Sequence, residues 1–223
     1  MVEMNIFETA FDVAYLITIF TLGVLIFKKT KISTTFRLFS YMAFTLGIGD
    51  CFHLIPRILD YWVLDCKFAM SVGGAITAVT MTFFYVILWN MGCRYYKINS
   101  EKKEKGDIFI WIMTTLRIII IICPQNEWGS TSSPYFWNII RNIPFCIIGI
   151  FLVIFFYKNE KDKTNSPFKN LWLAIALSYA FYIPVFLFSN FIGWIGSLMA
   201  LHTIMFVWII YMGYKAATLD KKK

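Results

Sequence analysis

The sequence predicts an all-α integral membrane protein: a seven-transmembrane-helix bundle with its N-terminus outside and its C-terminus cytoplasmic. Composition is the first of three observations behind this. Of 223 residues, 59% are hydrophobic, 19% are aromatic and only 15% are charged, whereas a soluble domain carries about 25% charged residues. Second, seven stretches approach the ~20 apolar residues that a bilayer-crossing helix needs. They cover about 10–28, 36–58, 68–91, 108–124, 135–157, 168–189 and 191–214. Little chain is left over, so residues 1–223 form a single seven-helix membrane domain.

The third observation is the alternation of basic residues. Lys28, Lys29, Lys31 and Arg37 lie between segments one and two, and Arg94, Lys97, Lys102, Lys103 and Lys105 between three and four. Lys158, Lys161, Lys163 and Lys169 lie between five and six, and Lys215, Lys221, Lys222 and Lys223 follow segment seven. These are 17 of the 21 Lys and Arg residues, all on one face. Cytoplasmic loops collect Lys and Arg, which puts this face in the cytoplasm of a cell whose plasma membrane holds the chain. The opposite loops hold Glu3, Glu8, Asp60, Asp65, Glu127 and only Lys67. The formal net charge of +8 is thus explained by topology and anionic lipid headgroups, and nucleic acid is excluded as a partner.

Each segment is then justified by its polar residues, because an Arg, Lys or Asp at the bilayer centre costs ~2.5–3.5 kcal/mol on insertion scales. No basic region precedes segment one, so it inserts and stays rather than acting as a cleaved signal. Segment two carries GDCFHLIPR, residues 49–57. Asp50, His53 and Arg57 at i, i+3, i+7 fall within about 60° of one another on a helix. Pro56 frees the carbonyl of Phe52, which in a membrane needs another partner. Taken as structure, Asp50 bonds His53 and Arg57 snorkels to the headgroups; taken as function, the three line the lip of an outward-facing cavity.

Segment four places Arg117 ~14 Å beyond its start and segment five places Arg141 ~9 Å deep, with Asn138 on the same face as Arg141 and Asn142 beside it. Either arginine could pair with Asp50, Asp12 or Glu8. Tyr179 and Tyr182 on segment six are amphipathic walls, and Trp194, where segment seven starts, is an interfacial ring. His202 sits near the midplane of segment seven. The connections INSEKKEKGD and KNEKDKTNSPFK read as solvated linkers, and PQNEWGSTSSPYF as an irregular outer loop able to cover an opening. The five cysteines lack CxxC spacing and read as buried free thiols, although Cys66 and Cys123 could pair. Segments two and six open alike, TFRLFSYMAF and PFKNLWLAIA. They suggest two three-helix repeats with segment four as a linker, as in SWEET-type transporters.

In its helix count, and in His53 on segment two with His202 on segment seven, the chain resembles the membrane hydrolase superfamily of alkaline ceramidases and adiponectin receptors. That resemblance implies zinc held by His53, His202 and a third ligand, Asp50 or Glu8, with an open position for water. The sequence departs from the pattern where Phe206 and Leu198 stand in place of a His-x-x-x-His pair, and Gly49 where a Ser-x-x-x-His would begin.

Three functions follow. Guanidinium groups grip carboxylate and phosphate bidentately, so Arg57, Arg117 and Arg141, with Asp50, His53, Asn138 and Tyr182, suggest an outward-facing pocket for a small anionic solute or lipid headgroup. No cofactor is needed, and Asp50 with His53 could couple a proton to transport. This reading is preferred because intramembrane arginine exceeds intramembrane acid. The alternatives are a metal-dependent lipid hydrolase, although no GxSxG or HExxH is present, and a structural or partner-binding protein whose polar groups only lock helices together.

Overall fold

Three of the six prolines of this chain lie inside helices without ending them. The computed structural model describes residues 2–31, 34–63, 65–130, 134–161, 163 and 165–220, with side chains from residue 5. Seven helices follow in order: α1 (Val2–Lys29), α2 (Arg37–Trp62), α3 (Lys67–Tyr95), α4 (Ser100–Ile122), α5 (Tyr135–Glu160), α6 (Leu171–Phe188) and α7 (Leu198–Asp220). Pro56, Pro144 and Pro184 lie inside α2, α5 and α6. Short 3-10 turns at Pro124–Asn126 and Gly193–Ser197 lead toward α5 and α7, so α7 starts later than its apolar stretch. No strand is present among the described residues.

Six of the helices are long and apolar enough to cross a membrane, and the chain is a membrane-embedded, multi-pass protein. The exception is α4, whose first two turns are the charged segment expected to be a linker. INSEKKEKGD is helical from Ser100 because Asn99 caps it, its side chain accepting from the Lys102 amide at 3.0 Å, and such a cap is worth about 1 kcal/mol. The i,i+4 pairs Lys105–Glu101 (2.7 Å) and Lys103–Asp107 add to this.

Each helix packs on its chain neighbours and α7 closes the ring on α1 and α2. The basic connections gather at one end. There Phe168 stacks on Phe39 (5.4 Å between centroids) and meets Tyr95 edge-on (4.8 Å). Lys29 donates to Tyr214 and Thr218 at 3.0 Å, and Lys163 sits 4.4 Å over the Tyr96 ring. Arg37, counted among the loop cations, is buried: it donates to the Phe27 and Thr30 carbonyls at 2.7 Å, so it caps the C-terminus of α1. Lys221, Lys222, Lys223 and the side chain of Glu3 lie outside the described residues.

The closest helix pair is α2 with α3. The Phe52 carbonyl, freed by Pro56, lies against Gly73, where an added Cβ would meet it at 1.9 Å. One turn on, the Thr77 hydroxyl donates to the Gly49 carbonyl at 3.0 Å, and a Cβ at Gly49 would collide with Thr80. Small residues that let backbones approach are how helices associate in lipid. All five cysteines are free, and only Cys93 is buried. Cys66 and Cys123 remain partly exposed and unpaired, which corrects the expectation of uniformly buried thiols.

Gly73→Val therefore lowers thermal stability in detergent by about 2 kcal/mol or more, while Gly193→Ala, where nothing lies within 4 Å, leaves it unchanged. Equal melting temperatures for the two variants would contradict the close approach.

Candidate functional site

The GDCFHLIPR face of α2 forms a ladder with α1. From the centre outward, the Tyr15 hydroxyl donates to Asp50 Oδ2 at 2.5 Å. Arg57 then holds Asp12 through Nε (3.0 Å) and Nη2 (2.5 Å), and the Tyr61 hydroxyl donates to Glu8 at 2.5 Å. Asp12 is 1% exposed. The two helices are antiparallel, so Glu8, Asp12 and Tyr15 at i, i+4, i+7 meet Tyr61, Arg57 and Asp50 in reverse order. The expected Asp50–His53 bond is replaced by two others. Asp50 takes Tyr15, and His53 Nδ1 lies 2.9 Å from the Met70 carbonyl on α3. Arg57 pairs with Asp12 rather than snorkelling alone.

Two cavities lie at the end opposite the basic connections. The first, about 260 Å³, opens among α1, α2, α3 and α7 and is lined by Glu8, Asp12, Asp50, His53, Arg57 and His202. The second, about 290 Å³, lies among α3, α5, α6 and the α4–α5 connection, with Lys67, Ser71, Trp128, Arg141, Asn142 and Tyr182 in its lining. His53, Thr77, Met81 and Met199 form a wall common to both.

Arg141 donates to Asn126 Oδ1 (3.2 Å) and Asn138 Oδ1 (2.9 Å) and lies 4.5 Å over the Trp128 ring. Asn142 accepts from the Tyr182 hydroxyl at 2.8 Å. The outer loop is partly built into this wall. Asn126 donates to the Ile120 and Cys123 carbonyls, and Trp128 to that of Ile121 at 2.7 Å, together capping α4; residues 131–133 lie outside the described residues.

Arg117 enters neither cavity. It is fully buried, with its guanidinium 3.6 Å over the Phe145 ring and with Nε and Nη1 lacking a hydrogen-bond partner among the described residues. Its expected pairing with Asp50, Asp12 or Glu8 is not made, because those acids are taken by Tyr15, Arg57 and Tyr61. His202 is buried as well, its Nδ1 2.9 Å from both the hydroxyl and the carbonyl of Ser178, and its ring stacks on Tyr182. Asp50, His53 and His202 line one cavity, but no three His, Cys, Asp or Glu side chains among the described residues are gathered as a zinc ion needs. Each histidine's Nδ1 is already engaged with backbone.

Sequence reasoning had not singled out Tyr15, Tyr61, Trp128 and Asn126, and it named Lys67 only as a loop cation. The spacing of Glu8, Asp12 and Tyr15 on one face of α1 was a readable signal for the first of these; the contribution of Trp128 depends on how the loop folds back. The chain matches no protein-family model, no curated protein and no solved structure.

Removing one partner of a buried ion pair costs about 3–5 kcal/mol. Asp12→Asn lowers stability by about 3 kcal/mol, and Asp12→Asn/Arg57→Gln costs less than the two single changes summed, as a double-mutant cycle of unfolding free energies would measure. Arg117→Met behaves in the opposite way. It deletes an uncompensated buried charge, so the variant melts no lower than the parent; a drop of several degrees would show that the charge stabilises the fold.

Proposed function

We propose that the second cavity binds a small anionic solute carrying a carboxylate or phosphate, and that it opens to the outside of a plasma membrane. The observation that carries this is the cavity's charge: among the described residues Lys67 and Arg141 line it and no Asp or Glu does; Asp65, outside the lining, lies 3.7 Å from the Lys67 ammonium. A carboxylate or phosphate is matched by a guanidinium fork and an ammonium, with the Ser71 hydroxyl as a neutral polar partner. The outward orientation is supported by the gathering of basic connections at the opposite end. A seventh span, α4, is supported by the exposed apolar stripe Ile108, Trp111, Ile112, Leu116, Ile119 and Ile122, a surface suited to lipid rather than water.

The helix-locking alternative accounts for Asp12, Arg57 and Glu8, which satisfy one another or a tyrosine. It does not account for a cavity with two cations in its wall. Of the residues first grouped as one site, Arg141 and Tyr182 line this cavity and Asn138 orients Arg141, while Asp50 and Arg57 belong to the other; His53 touches both.

Purified protein in mild detergent should be melted with acetate, succinate, phosphate and the corresponding neutral amides. The acids raise the melting temperature saturably and the amides do not. Lys67→Gln and Arg141→Gln each weaken the apparent affinity about tenfold or more, whereas Arg117→Met retains it. Equal shifts for acids and amides would sink this reading.

A further inference from the structure

The first cavity has the opposite chemistry. Its lining contains three acids, Glu8, Asp12 and Asp50, against one cation, Arg57. Arg57 is committed to Asp12 through two nitrogens, so the carboxyl groups of Glu8 and Asp50 have no ion-pair partner among the described residues, and a tyrosine hydroxyl donates to each.

The hydroxyls of the lining are all turned outward as donors. Tyr15 donates to Asp50, Thr77 to the Gly49 carbonyl, Ser197 to that of Trp194 and Thr203 to that of Met199. Only their lone pairs are left for an occupant. The histidines follow the same rule. A carbonyl can only accept, so Nδ1 of His53 facing the Met70 carbonyl, and Nδ1 of His202 facing the Ser178 carbonyl, carry the ring protons. In the neutral rings Nε2 is then an acceptor. For His202, 1% exposed, that Nε2 has no hydrogen-bond partner among the described residues. A buried acceptor without a donor is costly, and its persistence calls for an explanation. The remaining wall includes Phe7, Phe11 and Phe206, whose ring faces attract cations.

Acids without an ion-pair partner, hydroxyl and imidazole lone pairs and aromatic walls together describe one kind of occupant. We propose that this cavity is a binding site for a small organic ammonium ion, a protonated primary amine with a short apolar body. Its N–H groups are recognised by the Asp50 carboxyl group and the Nε2 lone pair of His53, and its body by the phenylalanines. A hard metal cation fits less well, because it prefers oxygen ligands and gains nothing from imidazole and ring faces here. The two readings share the wall of His53, Thr77, Met81 and Met199, but Asp50 lines only this cavity and Lys67 and Arg141 only the other, so either can fail without the other.

The test uses the full chain in mild detergent at neutral pH, with n-butylammonium as the probe. Binding is followed by equilibrium dialysis and by melting temperature, beside equal concentrations of n-butanol, sodium and tetramethylammonium. Butylammonium should bind saturably and raise the melting temperature, while butanol and sodium have no effect. Tetramethylammonium, which has the charge but no N–H, should bind at least about tenfold more weakly. Asp50→Asn keeps an acceptor for Tyr15 and should lose binding at least about tenfold. No saturable binding, an equal response to butanol or sodium, or undiminished binding in a folded Asp50→Asn protein would each overturn the proposal. The probe comparisons on the unaltered chain decide the matter even where the variant does not fold.

Discussion

The rest of the bundle depends on the polar ladder between α1 and α2. Three acids and an arginine on two apolar helices need polar partners, because each unsatisfied group in hydrocarbon costs several kcal/mol. Pairing Tyr15 with Asp50, Asp12 with Arg57 and Glu8 with Tyr61 meets that demand within two helices. It also sets their register, because shifting either helix by a turn would strand charges without partners.

With one face of α2 held by α1, its other face is free to approach α3 more closely than side chains normally allow. Gly73 receives the carbonyl that Pro56 leaves unbonded, and Thr77 serves the Gly49 carbonyl. The proline is thus tolerated because the neighbouring helix lacks a Cβ at the critical point. His53, on the same stretch, reaches across to Met70 and so becomes part of the wall that separates the two cavities.

That wall divides the polar residues by sign. Acids collect on the α1 side and cations on the α5 side, with His53, Thr77, Met81 and Met199 between them. The separation is electrostatic in origin: Arg57 is drawn to Asp12 and neutralised there, whereas Arg141 is oriented by amide oxygens and an indole face. Arg117 stands apart as a cation packed against an aromatic ring without an ion pair among the described residues.

The amino-acid sequence alone determined the class, the number of helices and the end at which the basic residues gather, because hydropathy and charge spacing are local properties written along the chain. It also placed Asp50, His53 and Arg57 on one helical face. It misjudged INSEKKEKGD, where an asparagine cap and i,i+4 pairs turned a charged run into helix, and it grouped Arg57, Arg117 and Arg141 into one cationic pocket. Only the tertiary structure assigned the three arginines to three surroundings: an aspartate, an aromatic core and an open cavity. Which acid meets which base depends on the register and rotation of neighbouring helices. Those are set by contacts between residues 35 to 53 positions apart in the ladder, a separation at which local periodicity carries no information.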